Sequence, residues 1–244
     1  REEYAVIGVD LPSESSYWRI KSLNEGEFPL VSSDKKVYEF YENAKNKNNF
    51  YATFDNYAYS KADYIIVDIN LDVIKTNDEK GKLIDYNVNL NPFKNAINSI
   101  ANNSKEDVVI LIETTVPPGT TKNIVKPIIE EIYFKKGYSK DKFFLGHSYE
   151  RVMPGPDYVD SIINFYRVYS GIDKKSEVVI EKFLKTIIKT DKYPLTKLVN
   201  TNATEIAKVL ENSYRASNIA FMVEWSRFAE KAGVNLYEIV NAIK

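Results

Sequence analysis

The sequence predicts an α/β protein: a doubly wound parallel sheet followed by one long helix. Three observations predict it. Short apolar runs at residues 4–10, 62–68 and 107–112 read as buried parallel strands. Segments with helical periodicity, 10 to 15 residues long, alternate with them, which calls for right-handed crossovers. Residues 201–233 form the longest periodic stretch, with Ile206, Leu210, Phe221, Trp225, Phe228 and Ala232 at three- and four-residue steps.

Taken in order, residues 4–10 give the first strand, ending at Asp10. Residues 19–24 suggest a helical turn, and Asn-Glu-Gly-Glu-Phe-Pro at 24–29 a loop. Ser33 or Asp34 can cap a helix running to Tyr41. Residues 50–54 and 62–68 are strands, whereas residues 70–86 are polar and aperiodic and read as a loop. Asn91 and Pro92 open a helix to Asn102, proline being favoured at the first helical position. Residues 107–112 are the strongest strand, and residues 114–121 lead into a helix ending near Lys135. Further strands are expected at 142–145 and 167–170, with a helix over 174–189. The last helix has Asn202 and Glu205 in the spacing of a capping box and Gly233 as a stop. At about 1.5 Å per residue it is roughly 45 Å long, so something has to pack along it. This is a Rossmann-like domain over residues 1–198, with the long helix and the start of a helical dimerisation region over 199–244.

Composition narrows the function classes. Among 244 residues, 33 are basic and 34 acidic, so no nucleic-acid partner is expected. No run approaches the roughly 20 apolar residues of a membrane span, and the start carries no signal-peptide character, so a cytoplasmic protein is expected. There is no cysteine, which removes disulfides, thiolate metal sites and thiol nucleophiles from these residues, and no metal site is expected. The single histidine is His147, to which no chemistry is assigned.

In open α/β sheets, ligands bind beyond the carboxyl ends of the strands. Three strand ends here are chemically loaded: Asp10, the Thr114-Thr115 turn, and the stretch from His147 to Arg151. On the long helix Lys208 and Asn212 share a face, and Arg215 continues the stripe. Each has a plain alternative. Lys208 can pair with Glu205 on a solvated face, Glu150 can pair with Arg151, and Thr115 can bond its own turn.

Three stretches together resemble the nucleotide-sugar 6-dehydrogenases of the UDP-glucose/GDP-mannose dehydrogenase family. They are Glu-Thr-Thr-Val-Pro-Pro-Gly-Thr-Thr at 113–121, Tyr-Glu-Arg-Val-Met-Pro-Gly at 149–155, and the helix segment at 205–221. The Glu-Arg-Val-x-Pro-Gly form and Glu-Asn-Ser-Tyr-Arg resemble the N-acetylhexosamine branch, which includes UDP-N-acetylmannosamine dehydrogenases. The resemblance implies NAD as cofactor and a UDP-sugar substrate whose 6-hydroxymethyl is oxidised twice to a carboxylate, for surface polysaccharide precursors. It implies a homodimer through the long helix. By the same resemblance Asp10 binds the adenosine ribose, Arg19 lies toward the adenosine end, and Thr115 holds the nicotinamide side or a water. Glu150 organises water and hydrogen bonds as a base, while Lys208 and Asn212 stabilise the developing oxyanion. Arg151 and Arg215 are substrate contacts.

The sequence also departs from the family. By the resemblance the family's first strand and its Gly-x-Gly-x-x-Gly turn are missing: residues 4–10 resemble its second strand, and Gly8 is followed by Val-Asp-Leu-Pro. The family's Pro-Thr-Pro turn is replaced by Val-Asp-Ile-Asn-Leu-Asp ending at Asp72, and the thiol that carries the second oxidation is not among these residues. A segment of such an enzyme is therefore expected, inactive alone. An inactive nucleotide-binding or assembly protein, or another Rossmann dehydrogenase with Lys208 as base, are the alternatives.

Overall fold

The computed structural model describes residues 4–243. Contacts divide the chain into one unit ending at Glu205 and a second from Ile206.

The first unit is built on strand β6 (Val108–Ile112), all five residues of which are buried. Side chains alternate across a strand, so Val108, Ile110 and Ile112 face one layer, and Val109 and Leu111 the other. The first layer is α3 (Asn91–Asn103) and α4 (Lys126–Lys135), which bring Phe93, Ile97, Ile129 and Tyr133 into the core. The second is α6 (Lys174–Ile187), which supplies Ile180, Phe183 and Leu184. Burying each such side chain stabilises the fold by about 1.5–3 kcal/mol.

Around β6 the order is β3-β6-β7-β8-β9, with β3 at Tyr64–Val67, β7 at Phe143–Ser148, β8 at Val168–Gly171 and β9 at Thr196–Lys197. Strands β3, β6 and β7 are parallel, as expected, but β8 runs antiparallel to β7. A parallel return needs a crossover long enough to travel back along the sheet. Between β7 and β8 the helix is only the six-residue α5 (Tyr158–Ile163), so the chain comes back the other way. At that crossing Gly146 faces Gly171, and α6 approaches closely. A Cβ on Gly171 would lie 2.5 Å from the Glu177 nitrogen. We expect Gly171→Ala to destabilise by about 1–3 kcal/mol in urea denaturation, through overpacking. An unchanged midpoint would show that α6 can back away.

Strand β1 (Val6–Val9) pairs in parallel with β2 (Phe50–Thr53) and, among described residues, with nothing else. Its Val6 and Ile7 are exposed. Helix α1 (Glu14–Glu25) is twelve residues, longer than the turn expected, because Ser13 caps it and Gly26 stops it at φ +92°. Helix α2 (Lys35–Asn46) runs past Tyr41, with Asp34 as its cap.

The stretch expected to be a loop at 70–86 is instead an antiparallel hairpin, β4 (Val73–Asn77) with β5 (Leu83–Val88). Both strands are exposed almost throughout, so no buried face imprints a period. The turn makes it: Asp78 Oδ1 accepts from the Lys80 and Lys82 nitrogens, and Gly81 has φ +77°.

The second unit contains most of α7 (Thr201–Lys231) and α8 (Leu236–Ala242). Ile206, Leu210, Phe221, Trp225 and Phe228 are exposed, so the apolar stripe is not covered within its own unit. The expected capping box is absent. Asn200 caps the helix by accepting from the Ala203 nitrogen, and the Glu205 carboxylate is bonded elsewhere.

Candidate active site

The carboxyl ends of β3 and β6 face a cleft lined by Asp68, Ile69, Asn70, Leu71 and Thr115. Two hydrogen bonds of one residue stitch its walls together. The Thr114 hydroxyl donates to the Val67 carbonyl at 3.2 Å and accepts from the Ile69 nitrogen at 2.8 Å. Thr114 is thereby buried in the scaffold, leaving its neighbour Thr115 exposed on the cleft wall.

Beneath that rim lies a charge cluster that the sequence did not disclose. Arg167 Nη1 donates to Glu113 Oε1 at 2.6 Å, with side chains 6% and 14% exposed. Burial pushes the Glu113 carboxyl above its ordinary range, the Arg167 guanidinium opposes that, and Asp68 and Glu150 reinforce it by like charge. Arg167, just before β8, thus pairs with Glu113 at the end of β6, while Asp68 after β3 and Glu150 after β7 act on that carboxyl as like charges. Glu113 and Arg167 stand 54 positions apart, and only the reversal of β8 unites them. Asp68 had a local signal, an acid ending a strand, identical in kind to that of Asp10.

Glu150, just past β7, accepts a hydrogen bond from the Val152 nitrogen, which folds the following loop onto itself. The Met153 nitrogen donates to Ser161 Oγ in α5, fixing the loop's far side. Arg151 sits with its guanidinium 4.2 Å from the Phe165 ring centroid, a cation–π contact that orients it. His147 is fully buried in β7. Asp34 joins α2 to this region: besides capping α2 it accepts from the Val159 nitrogen at 2.8 Å, and those bonds hold its carboxyl below the ordinary range.

Asp10 and Arg19 are brought together. The carboxylate follows β1, accepts from the Leu11 nitrogen and lies 3.9 Å from the Arg19 guanidinium, both half-exposed. Arg19 also donates from Nε to the Ser15 carbonyl. In the second unit, Lys208, Asn212 and Arg215 follow one another along α7, and Arg215 pairs with Glu211 at 3.7 Å.

Asp10 keeps a half-exposed carboxylate after β1, and Thr115 lines the cleft. No glycine-rich turn for a pyrophosphate lies among the described residues. Nor do they contain a cluster of His, Asp and Glu able to hold a metal, or a helix long and apolar enough to cross a membrane.

Comparison with known proteins gives this geometry a lineage. Over 238 residues the chain is 30% identical to UDP-N-acetyl-D-mannosamine dehydrogenase of Methanocaldococcus jannaschii, covering 97% of itself and 49% of that protein. Two solved structures share its fold. GDP-mannose dehydrogenase of Pseudomonas aeruginosa superposes with a TM-score of 0.78 at 21% identity, over 99% of this chain and 51% of that one. The UDP-D-ManNAc dehydrogenase of Pyrococcus horikoshii gives 0.78 at 24% identity, over 99% and 52%. The chain therefore spans about half the length of the relatives it matches. Residues 1–190 match the NAD binding domain, and residues 202–244 the central domain, of the UDP-glucose/GDP-mannose dehydrogenase family. With both domains matched in order, this chain belongs to that family.

Proposed function

We propose that the chain is the cofactor-binding part of an NAD-dependent UDP-sugar 6-dehydrogenase of the N-acetylhexosamine type. The cleft at the carboxyl ends of β3 and β6, with Thr115 on its wall, carries this reading. Bound NAD supplies a hydride acceptor. Asp10 holds the ribose hydroxyls, with Arg19 beside it fixing the carboxylate. Thr115 orients the nicotinamide side or a water. Glu150 accepts a proton or orders water, its carboxylate anchored by the Val152 nitrogen. Lys208 and Asn212 present an ammonium and an amide to the alkoxide as the sugar C6 hydroxyl is oxidised, lowering its charge cost. Arg151, held on Phe165, and Arg215, held by Glu211, bind the substrate. The second oxidation requires a thiol, and none of these 244 residues is cysteine, so that step draws on residues outside them. The exposed apolar stripe of α7 is the surface for a second copy. Activated sugars and NAD are cytoplasmic metabolites, and the cytoplasm is the compartment of this reading.

Saturation-transfer NMR with NAD tests it. Transfer to the adenosine ribose protons is expected with the wild-type chain. Asp10→Ala should weaken binding about tenfold or more, the worth of one hydrogen bond to a charged group. Equal transfer to both proteins, or none to wild type at millimolar NAD, would sink the reading.

A further inference from the structure

Glu205 is fully buried at the first turn of α7, and its carboxylate serves neither its own helix nor a lysine. Oε2 accepts from the Gly119 nitrogen at 2.5 Å and Oε1 from the Thr121 nitrogen at 2.8 Å. Both lie where the loop after β6 turns into a helix, the end that favours an anion, and the Thr121 nitrogen is one of that helix's orphan donors. Val116 anchors the loop in the core, and the hydrogen bonds that follow it are local. Thr120 bonds the Pro117 carbonyl, the Asn123 nitrogen bonds the Gly119 carbonyl, and Gly119 sits at φ +94°. The helix begins with a π turn, Thr121–Val125, an expanded and weaker start than a regular α-helix. The other end of the clamp is firm: Thr204 Oγ1 lies 2.8 Å from Ser170 Oγ in β8, and both are buried.

We propose that Glu205 is a positioning residue: it fixes the loop that carries Thr115 to the first turn of α7, through the Gly119 and Thr121 nitrogens. A movement of that turn is then transmitted to the cleft wall. What is positioned rests on the reading of Thr115 given above, whereas the clamp itself is tested without any cofactor.

The experiment is native-state amide exchange by NMR on the 244-residue chain, comparing wild type with Glu205→Gln and Glu205→Asp. Glutamine keeps the volume but meets one of the two donors with an NH2 group. Exchange at Gly119 and Thr121 is expected to rise about 10- to 100-fold, as for loss of a charge-assisted bond, and the Thr115 amide resonance to shift. The amides of Ile110 and Leu111 in β6 should keep their rates. Aspartate, a methylene too short to reach both nitrogens, should fall between. Unchanged exchange at Gly119 and Thr121, or a uniform rise that includes β6, overturns the proposal. Should the variants not fold, wild type alone decides. Gly119 and Thr121 must then exchange with the opening rate of the first turn of α7, and exchange as fast as an unprotected loop would overturn the clamp. A chain that binds no NAD yet shows this pattern refutes the functional reading and leaves the clamp standing.

Discussion

Arg167→Met will cost the fold about 3–5 kcal/mol at pH 8, because it removes one partner of a buried ion pair and leaves the other charged. Methionine fills most of the space, so the loss is electrostatic rather than a cavity. Glu113 keeps its burial and loses the Arg167 counter-charge, while Asp68 and Glu150 still act on it as like charges. Its carboxyl, already above the ordinary value of 4.5, moves further up. The folded state then binds a proton more readily than the unfolded chain. Stability contributed by that proton is present below the unfolded value and lost as pH rises through the folded one. The deficit of Arg167→Met should accordingly be smallest near about pH 5 and full at pH 8. Urea denaturation at both values measures it. The double variant Glu113→Gln with Arg167→Met should recover much of the loss, since no buried charge remains at that pair. An equal penalty at the two pH values would mean that water reaches Glu113 and the cluster is not electrostatically coupled.

The parts of this molecule that could be read from sequence are those where one local rule decides. Strand β6 is apolar on both faces, Pro92 opens α3, and α7 repeats its apolar residues over 31 positions, so each announced itself. The β4–β5 hairpin did not. Its strands are exposed, and what makes it is the Asp78 side chain and a positive φ at Gly81, features of a turn rather than of a pattern. The reversal of β8 was hidden for a different reason: strand direction is a property of the connection, and α5 is too short to leave a periodic mark. Asp10, Thr115, Glu150, Lys208 and Asn212 stand in local motifs, so they could be singled out from sequence as candidates. Arg167 and Glu205 could not be given their places. The first depends on a strand order, and the second resembled a capping-box acid until its carboxylate was found on the nitrogens of Gly119 and Thr121. Long-range polar partners have no spacing rule, and buried ones are chosen by topology.

The largest effect on assembly is expected from the outer part of α7. Phe221, Trp225 and Phe228 are 60%, 46% and 63% exposed, yet their rings already contact one another, with centroids 6.1 and 5.6 Å apart. Ordering them for a partner therefore costs little more side-chain entropy. A two-fold contact buries the same patch on both copies, and each aromatic ring removed from water contributes about 1.5–3 kcal/mol. Sedimentation should accordingly show a species of twice 28.1 kDa for the wild-type chain. Trp225→Glu with Phe228→Glu should weaken self-association about 100-fold or more, the loss of two aromatic anchors. The same substitutions should leave the unfolding midpoint of the first unit unchanged, because they lie beyond Glu205, where that unit ends. A wild-type chain that stays monomeric at about 50 µM, or a doubly charged variant that self-associates as tightly, removes the second copy as the partner of this stripe. If the variant instead loses both assembly and the stability of the first unit, the aromatic ladder is holding the chain's own fold, and the exposed rings belong to an intrachain contact.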